Sequence, residues 1–227
     1  MGLILLVRHG QASWGAADYD QLSRLGKQQS ETLGEWLGQG VGQGLGDAGV
    51  RPSRVVGGSL RRHRQSAEAC AAAAGWELDL AVDEGWDEFD HAQLLDVYGV
   101  ANGVPEASTG RAQLDAWFDA AVERWVAGAH DGEYPLSFPA FTDRVDGALR
   151  RTAASVGSGE TVVVFTSGGP ISWAVASLVA GGTATWQRLN PVLTNASISK
   201  LTVGSRGTTA VSFNEHGHLP PDLLTYR

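Results

Sequence analysis

Two short stretches carry side chains suited to oxyanion chemistry. The first is Arg8-His9-Gly10-Gln11, which directly follows the apolar run Leu3–Val7. A neutral imidazole is a competent nucleophile near pH 7, and a guanidinium offers a planar fork of donors matched to phosphate. The glycine lets backbone approach a ligand closely. The second stretch is Gly58-Ser59-Leu60-Arg61-Arg62-His63-Arg64-Gln65-Ser66-Ala67, which follows the short apolar segment Val55–Gly57. It reads as the start of a helix, where free N–H groups and the dipole attract anions. Three arginines placed there oppose the dipole and call for a compensating anion. A solvated basic face is the plainer account of Arg61 and Arg64, and a polar dipeptide at a strand end is by itself a common feature.

These residues need elements to hold them. Leu3–Val7 (LILLV) and the run around Val162–Phe165 (TVVVFT) are continuous apolar segments, as expected of strands buried on both faces of a parallel sheet. Val55–Val56 is a shorter candidate, and Ser197–Val203 and Thr209–Phe213 alternate like strands nearer an edge. Helical patterns fall between them, at Leu25–Leu37, Leu60–Ala74 and Pro170–Ala180. Leu114, Trp117, Phe118, Ala121, Val122 and Trp125 form a stripe at helical spacing, and Phe138, Phe141, Val145 and Leu149 form another. Strands alternating with helices predict an α/β sandwich with a mostly parallel sheet. Residues from about 84 to 157 show two helices and no strand, so they read as a helical insertion. Ligands of such sheets bind beyond the carboxyl ends of the strands, which directs attention to the residues just after Val7 and just after Phe165.

Composition narrows the field. The chain has 227 residues and a formal net charge of −8, which argues against a general nucleic-acid binder. A single cysteine, Cys70, excludes an intramolecular disulfide framework and a cysteine metal cluster. No apolar run approaches ~18 residues, so no membrane span is expected. The beginning lacks a basic segment before its apolar run, so the expected location is cytoplasmic. Glycine is abundant, with 30 residues, many within Gly34–Gly49. Gly44-Leu45-Gly46-Asp47-Ala48-Gly49 matches the dinucleotide pattern, but Arg51-Pro52 comes after it where a helix should begin, so it reads as a linker.

The motifs Leu6-Val7-Arg8-His9-Gly10, Leu22-Ser23-Arg24-Leu25-Gly26-Lys27-Gln28-Gln29 and Ser59-Leu60-Arg61-Arg62-His63-Arg64-Gln65-Ser66-Ala67 together resemble the histidine phosphatase superfamily, also called phosphoglycerate-mutase-like. Asn195-Ala196-Ser197 before a strand resembles that family's C-terminal part. The resemblance implies one domain over residues 1–227. Its fold would be a three-layer α/β sandwich with a mostly parallel central sheet, helices on both faces, and the insertion of about 84–157 capping the site. It implies hydrolysis of a small phosphomonoester without metal or cofactor, through a phosphohistidine on His9. Arg8 and Arg62 would hold the phosphoryl group, and Glu88 would protonate the leaving oxygen, with Glu84, Asp87 and Asp90 as close rivals. Carboxylates crowded together raise one another's pKa, which suits an acid.

The chain departs from the family pattern in two places. Ser167, in Thr166-Ser167-Gly168-Gly169, stands where the family carries a second histidine. The serine keeps a donor but no charge, and the Gly168–Gly169 turn offers backbone N–H groups; His63 or His91 is a candidate substitute. Gln11-Ala12-Ser13-Trp14-Gly15 lacks the donors of the family's E-T-x-W-N, and Ser13 stands in for part of them. These departures leave two alternatives: a member that binds phosphorylated ligands with little turnover, or a phosphomutase. A serine hydrolase built on Ser167 is disfavoured by Phe165, which sits where a nucleophile elbow needs glycine.

Overall fold

The computed structural model describes residues 1–13, 20–39, 49–106 and 108–226. Its sheet has six strands: β1 (Gly2–Arg8), β2 (Arg54–Gly57), β3 (Leu80–Val82), β4 (Thr161–Thr166), β5 (Ile198–Gly204) and β6 (Gly207–Glu215). Their order is β3-β2-β4-β1-β5-β6. Pairs β2–β3, β2–β4 and β1–β4 are parallel, whereas β1–β5 and β5–β6 are antiparallel. The architecture is mixed α/β around a mostly parallel central sheet, as expected.

The helices are α1 (Arg24–Gln39), α2 (Arg61–Ala74), α3 (His91–Asn102), α4 (Arg111–Val126), α5 (Phe138–Ala154), α6 (Gly168–Leu178) and α7 (Gly182–Leu189). Alternation along the central strands explains the layers. Leu5, Val7, Val163 and Phe165 pack with Leu33 and Leu37 of α1 and with Ala67 and Cys70 of α2. The intervening Ile4, Leu6, Val162 and Val164 are also fully buried, so the opposite face is covered too. Full burial of each such side chain is worth about 1.5–3 kcal/mol, and Leu3–Val7 and Val162–Phe165 carry no polar residue. Helix α2 ends at Gly75, whose φ of 69° closes the last turn in the left-handed region.

The described residues divide into two compact units, one of Met1–Glu88 with Val145–Arg227 and one of Phe89–Arg144. The second lies inside the stretch read as an insertion. It is built around Phe89, Leu94, Trp125, Phe138 and Phe141, with Phe138 edge-on to Trp125 at 5.1 Å. It contains α3, which the sequence did not announce: only Leu94 and Gly99 of that helix are buried, too few to make a stripe. Strand β3 and helix α7 carry little local sequence signal, one because it has three residues and the other because only Trp186 is buried. Among the described residues no helix is long and apolar enough to cross a membrane. Most of the Gly44–Gly49 pattern lies outside the described residues.

Candidate active site

The four parallel strands β3, β2, β4 and β1 deliver the chemistry-bearing residues at their carboxyl ends. Asp87 and Glu88 come after β3, Arg62 and His63 after β2, Ser167 and Gly168 after β4, and His9 after β1. Strands β1 and β4 stay in register through Arg8↔Thr166. One step further, the His9 N–H donates to the Thr166 carbonyl at 2.8 Å. His9 and Ser167 are therefore neighbours by ladder geometry, although they lie far apart in the chain.

His9 is held on every side. Its carbonyl accepts from Ala196 N and Asn195 Nδ2, each at 3.2 Å. Its Nδ1 lies 2.6 Å from the Gly10 carbonyl. A carbonyl only accepts, so the proton of the neutral ring sits on Nδ1 and Nε2 keeps its lone pair. Burial, then the Arg62 and Arg8 guanidinium groups and His63, push the His9 pKa well below its ordinary value. The ring is thus neutral at pH 7.

The loop that carries His9 is interlocked with the start of α1. A methyl group on Gly10 would lie 2.1 Å from the Gly26 carbonyl oxygen, and one on Gly26 would lie 2.1 Å from that of Gln11. Gly10 N donates to Ser66 Oγ at 3.0 Å, which ties the loop to α2. The buried Gln29 accepts from Gln11 N at 2.8 Å and donates to the Leu223 carbonyl at 2.7 Å. One amide therefore links the loop to the last residues of the chain. Arg8 donates from Nη1 to the carbonyls of Leu193 and Tyr226. A methyl on Gly168 would come within 3.8 Å of Arg8 Nε, so that guanidinium lies against the start of α6.

Arg62 is buried and its Nη1 pairs with Asp20 Oδ1 at 2.7 Å. Asp20 Oδ2 accepts from Arg61 N at 2.8 Å. Leu60, at the N-cap, offers no side-chain hydrogen bond, so Asp20 caps α2 from a distant part of the chain. The anion that the three arginines call for is, in part, this carboxylate. Local sequence pattern gave no signal for it.

Among the carboxylates of the 84–90 segment the structure distributes distinct contacts. Asp87 accepts from Ser59 N and Ser59 Oγ, both at 2.6 Å. Asp90 caps α3 through Gln93 N at 3.1 Å, and Glu84 is exposed. Glu88 reaches Gly169 N at 3.0 Å, beside Ser167 and Gly168. Ser13 bonds through its backbone to the Gln21 carbonyl at 2.8 Å; among the described residues its hydroxyl shares no hydrogen bond with Arg8, His9 or Arg62. Trp14 and Gly15 lie outside the described residues.

The two candidate substitutes for the histidine absent at position 167 belong to different units. His63 is fully buried, its Nε2 lies 2.7 Å from Ser167 Oγ, and its ring centroid is 5.8 Å from that of His9. His91 belongs to the second unit, where its ring stacks on Phe118 and lies tilted by 40° against Phe89. The triad needed by a serine hydrolase is loose: His63 Nδ1 is 3.8 Å from Asp87 Oδ1, and Ser167 is fully buried.

Comparison with known proteins bears on the family and the fold. Residues 4–216 match the family model described as histidine phosphatase superfamily (branch 1). No curated protein sequence matches the chain. A phosphoserine phosphatase variant from Entamoeba histolytica, solved with phosphoserine, is 16% identical with a TM-score of 0.66, over 97% of this chain and 100% of that one. A mycobacterial glucosyl-3-phosphoglycerate phosphatase solved with VO3 is 22% identical with a TM-score of 0.65, over 94% of this chain and 99% of that one. A phosphoglycerate mutase from Bacillus anthracis is 17% identical with a TM-score of 0.63, over 95% and 94%. At these identities the likeness speaks for the fold.

Proposed function

Because the chain belongs to the histidine phosphatase superfamily, we propose that it is a phosphatase that hydrolyses a small phosphomonoester through a phosphohistidine on His9. The observation that carries the reading is His9 itself. Its neutral ring is anchored through Nδ1 to the Gly10 carbonyl and lies in the field of two guanidinium groups.

In the first half-reaction His9 Nε2 forms a bond to phosphorus while the P–O ester bond breaks. Glu88, as a carboxylic acid, gives its proton to the leaving oxygen. Arg8 and Arg62 spread the negative charge of the phosphoryl oxygens, and Ser167, Ser13 and the Gly168 N–H at the start of α6 add donors. In the second half-reaction water attacks phosphorus, the Glu88 carboxylate takes its proton, and the N–P bond returns its electron pair to Nε2. Phosphate leaves and the starting state is restored. None of these steps calls for a metal. The substrate class we favour is a phosphate ester of a small polar metabolite, a reading supported by neighbours of the same fold solved with phosphoserine or acting on glucosyl-3-phosphoglycerate.

Ser167 supports a second reading, in which turnover is weak and the site chiefly binds phosphorylated ligands. A phosphomutase would use the same nucleophile but return the phosphoryl group to a second hydroxyl rather than to water. Hydrolysis of an aryl phosphate together with acid-labile, base-stable 32P labelling, both lost in His9→Ala, is the expected result. Labelling without hydrolysis would favour the mutase, and binding of phosphorylated metabolites without labelling would favour the binding protein.

A further inference from the structure

His63 is unusual among the residues at the strand ends. It projects from the first turn of α2, is fully buried, and meets the Ser167 hydroxyl from the neighbouring strand end at 2.7 Å. The groups that face it come from several elements. Asp87 Oδ1 lies 3.8 Å from its Nδ1. The backbone of Gly58 lies so close that a methyl there would be 2.4 Å from Nδ1 and 2.5 Å from Asp87 Oδ1. The His9 ring is 5.8 Å away, and the Arg62 guanidinium acts on it from its own helix.

One proton lies on the short line between Ser167 Oγ and His63 Nε2, and its ownership decides what Ser167 can do. In a neutral ring protonated on Nδ1, toward Asp87 and Gly58, Nε2 accepts and the Ser167 hydrogen is spent on it. The serine then presents only lone pairs, which repel a phosphoryl oxygen. A doubly protonated ring reverses the bond: Nε2–H donates to Oγ and the hydroxyl hydrogen is released. Asp87 beside Nδ1 suits that charged form. Without an anion, burial and the Arg62 guanidinium keep the ring neutral. A dianion placed among Arg8, Arg62 and His63 offsets the positive field that opposes protonation.

We propose that His63 is a positioning residue for the phosphoryl site: as an anion arrives the ring takes up one proton, donates Nε2–H to Ser167, and turns the Ser167 O–H toward the anion. This rests on the reading of the strand ends as a phosphoryl site. The pair then supplies from two segments, a ring on α2 and a hydroxyl after β4, what a charged side chain at position 167 would supply alone.

Sulfate is the probe for the test, because it stays a dianion between pH 6 and pH 8 and brings no titrating proton of its own. Sulfate affinity of the whole protein is measured by calorimetry across that range, in pairs of buffers with different ionisation heats. The expected result is uptake of up to one proton per sulfate, with affinity falling by up to tenfold per pH unit as the pH rises. His63→Gln, whose amide can still donate to Ser167 but cannot titrate, is expected to bind sulfate with a flat pH profile. Ser167→Ala is expected to keep the uptake and lose about tenfold in affinity, on the order of one charge-assisted hydrogen bond. An unchanged pH slope in a folded His63→Gln would assign the proton to His9 and overturn the proposal. So would the absence of proton uptake in the unaltered protein, a result that needs no variant. Ring 15N shifts of His63 in the unaltered protein, expected to report both nitrogens protonated only with sulfate, give the same decision. No turnover enters these measurements, so a protein without phosphohistidine that still takes up the proton would refute the catalytic reading and keep this one.

Discussion

Asp20 and Arg62, 42 residues apart, meet in an ion pair at 2.7 Å. The same carboxylate accepts from the first N–H of α2. A negative charge therefore stands at the helix end and on the arginine proposed to grip the phosphoryl group. It orients Arg62 and also competes with an incoming anion for it.

Removing that charge separates the two effects. In Asp20→Asn the inhibition constant for inorganic phosphate should fall about fivefold, the equivalent of ~1 kcal/mol. The helix end should lose stability on the order of 0.3–1 kcal/mol, read as a lower melting temperature. Weaker phosphate inhibition would mean that Asp20 acts mainly by orienting Arg62.

The pKa values of His9 and His63, both held well below 6.5, make stability depend on pH. Below about pH 6.5 the unfolded chain protonates these rings while the folded protein does not. Stability is therefore fully present above that pH and declines as acid is added, until the depressed folded values are reached. Each ring contributes a slope of up to about 1.4 kcal/mol per pH unit. Urea unfolding of the anion-free protein at pH 7.5 and pH 5.5 checks this, and equal stability at the two values would contradict it. The acid limb of kcat/KM should likewise lie below pH 6.5, because His9 attacks as the neutral ring.

Backbone interlock sets the position of the nucleophile. Gly10→Ala and Gly26→Ala each drive a methyl to 2.1 Å from a carbonyl oxygen. Overpacking of this kind costs about 1–3 kcal/mol, and activity should fall further as the His9 loop shifts. Gly110→Ala, where a methyl meets nothing within 4 Å, is the control and should be tolerated. Normal activity in Gly10→Ala would show that the loop is free to move.

Assignment of Glu88 as the acid predicts a dependence on the leaving group. Glu88→Gln should lower kcat/KM, which reports the first half-reaction alone, by about 10²–10⁴ on an alkyl phosphate. The loss should be much smaller on p-nitrophenyl phosphate, whose leaving oxygen needs little protonation. Equal losses on both would move Glu88 from proton transfer to binding, consistent with its bond to Gly169 N.

The strands β1 and β4 were legible because an apolar run without alternation has few homes besides a strand covered on both faces. The expectation that His9 and Arg62 act together came from the family resemblance, whereas the rule for strand ends pointed only past Val7 and past Phe165. Other features left no local trace. Asp20 acts on α2 from across the chain, and an acidic residue near a loop carries no periodic signal. His63 was readable as a candidate, but only the neighbouring of β2 and β4 brings it to Ser167, and that neighbouring is a property of sheet order. Helix α3 was missed because two buried positions do not make a stripe.

The ladder between β1 and β4 has a consequence for how such a protein can change. Side chains alternate from face to face along a strand, so inserting or deleting one residue within Leu3–Val7 or Val162–Phe165 would send His9 or Ser167 to the wrong side of the sheet. Connections between strands carry no such parity. Lineages and laboratory libraries alike are therefore free to vary the lengths of the connecting segments in search of new substrates, while the spacing inside these two strands stays frozen.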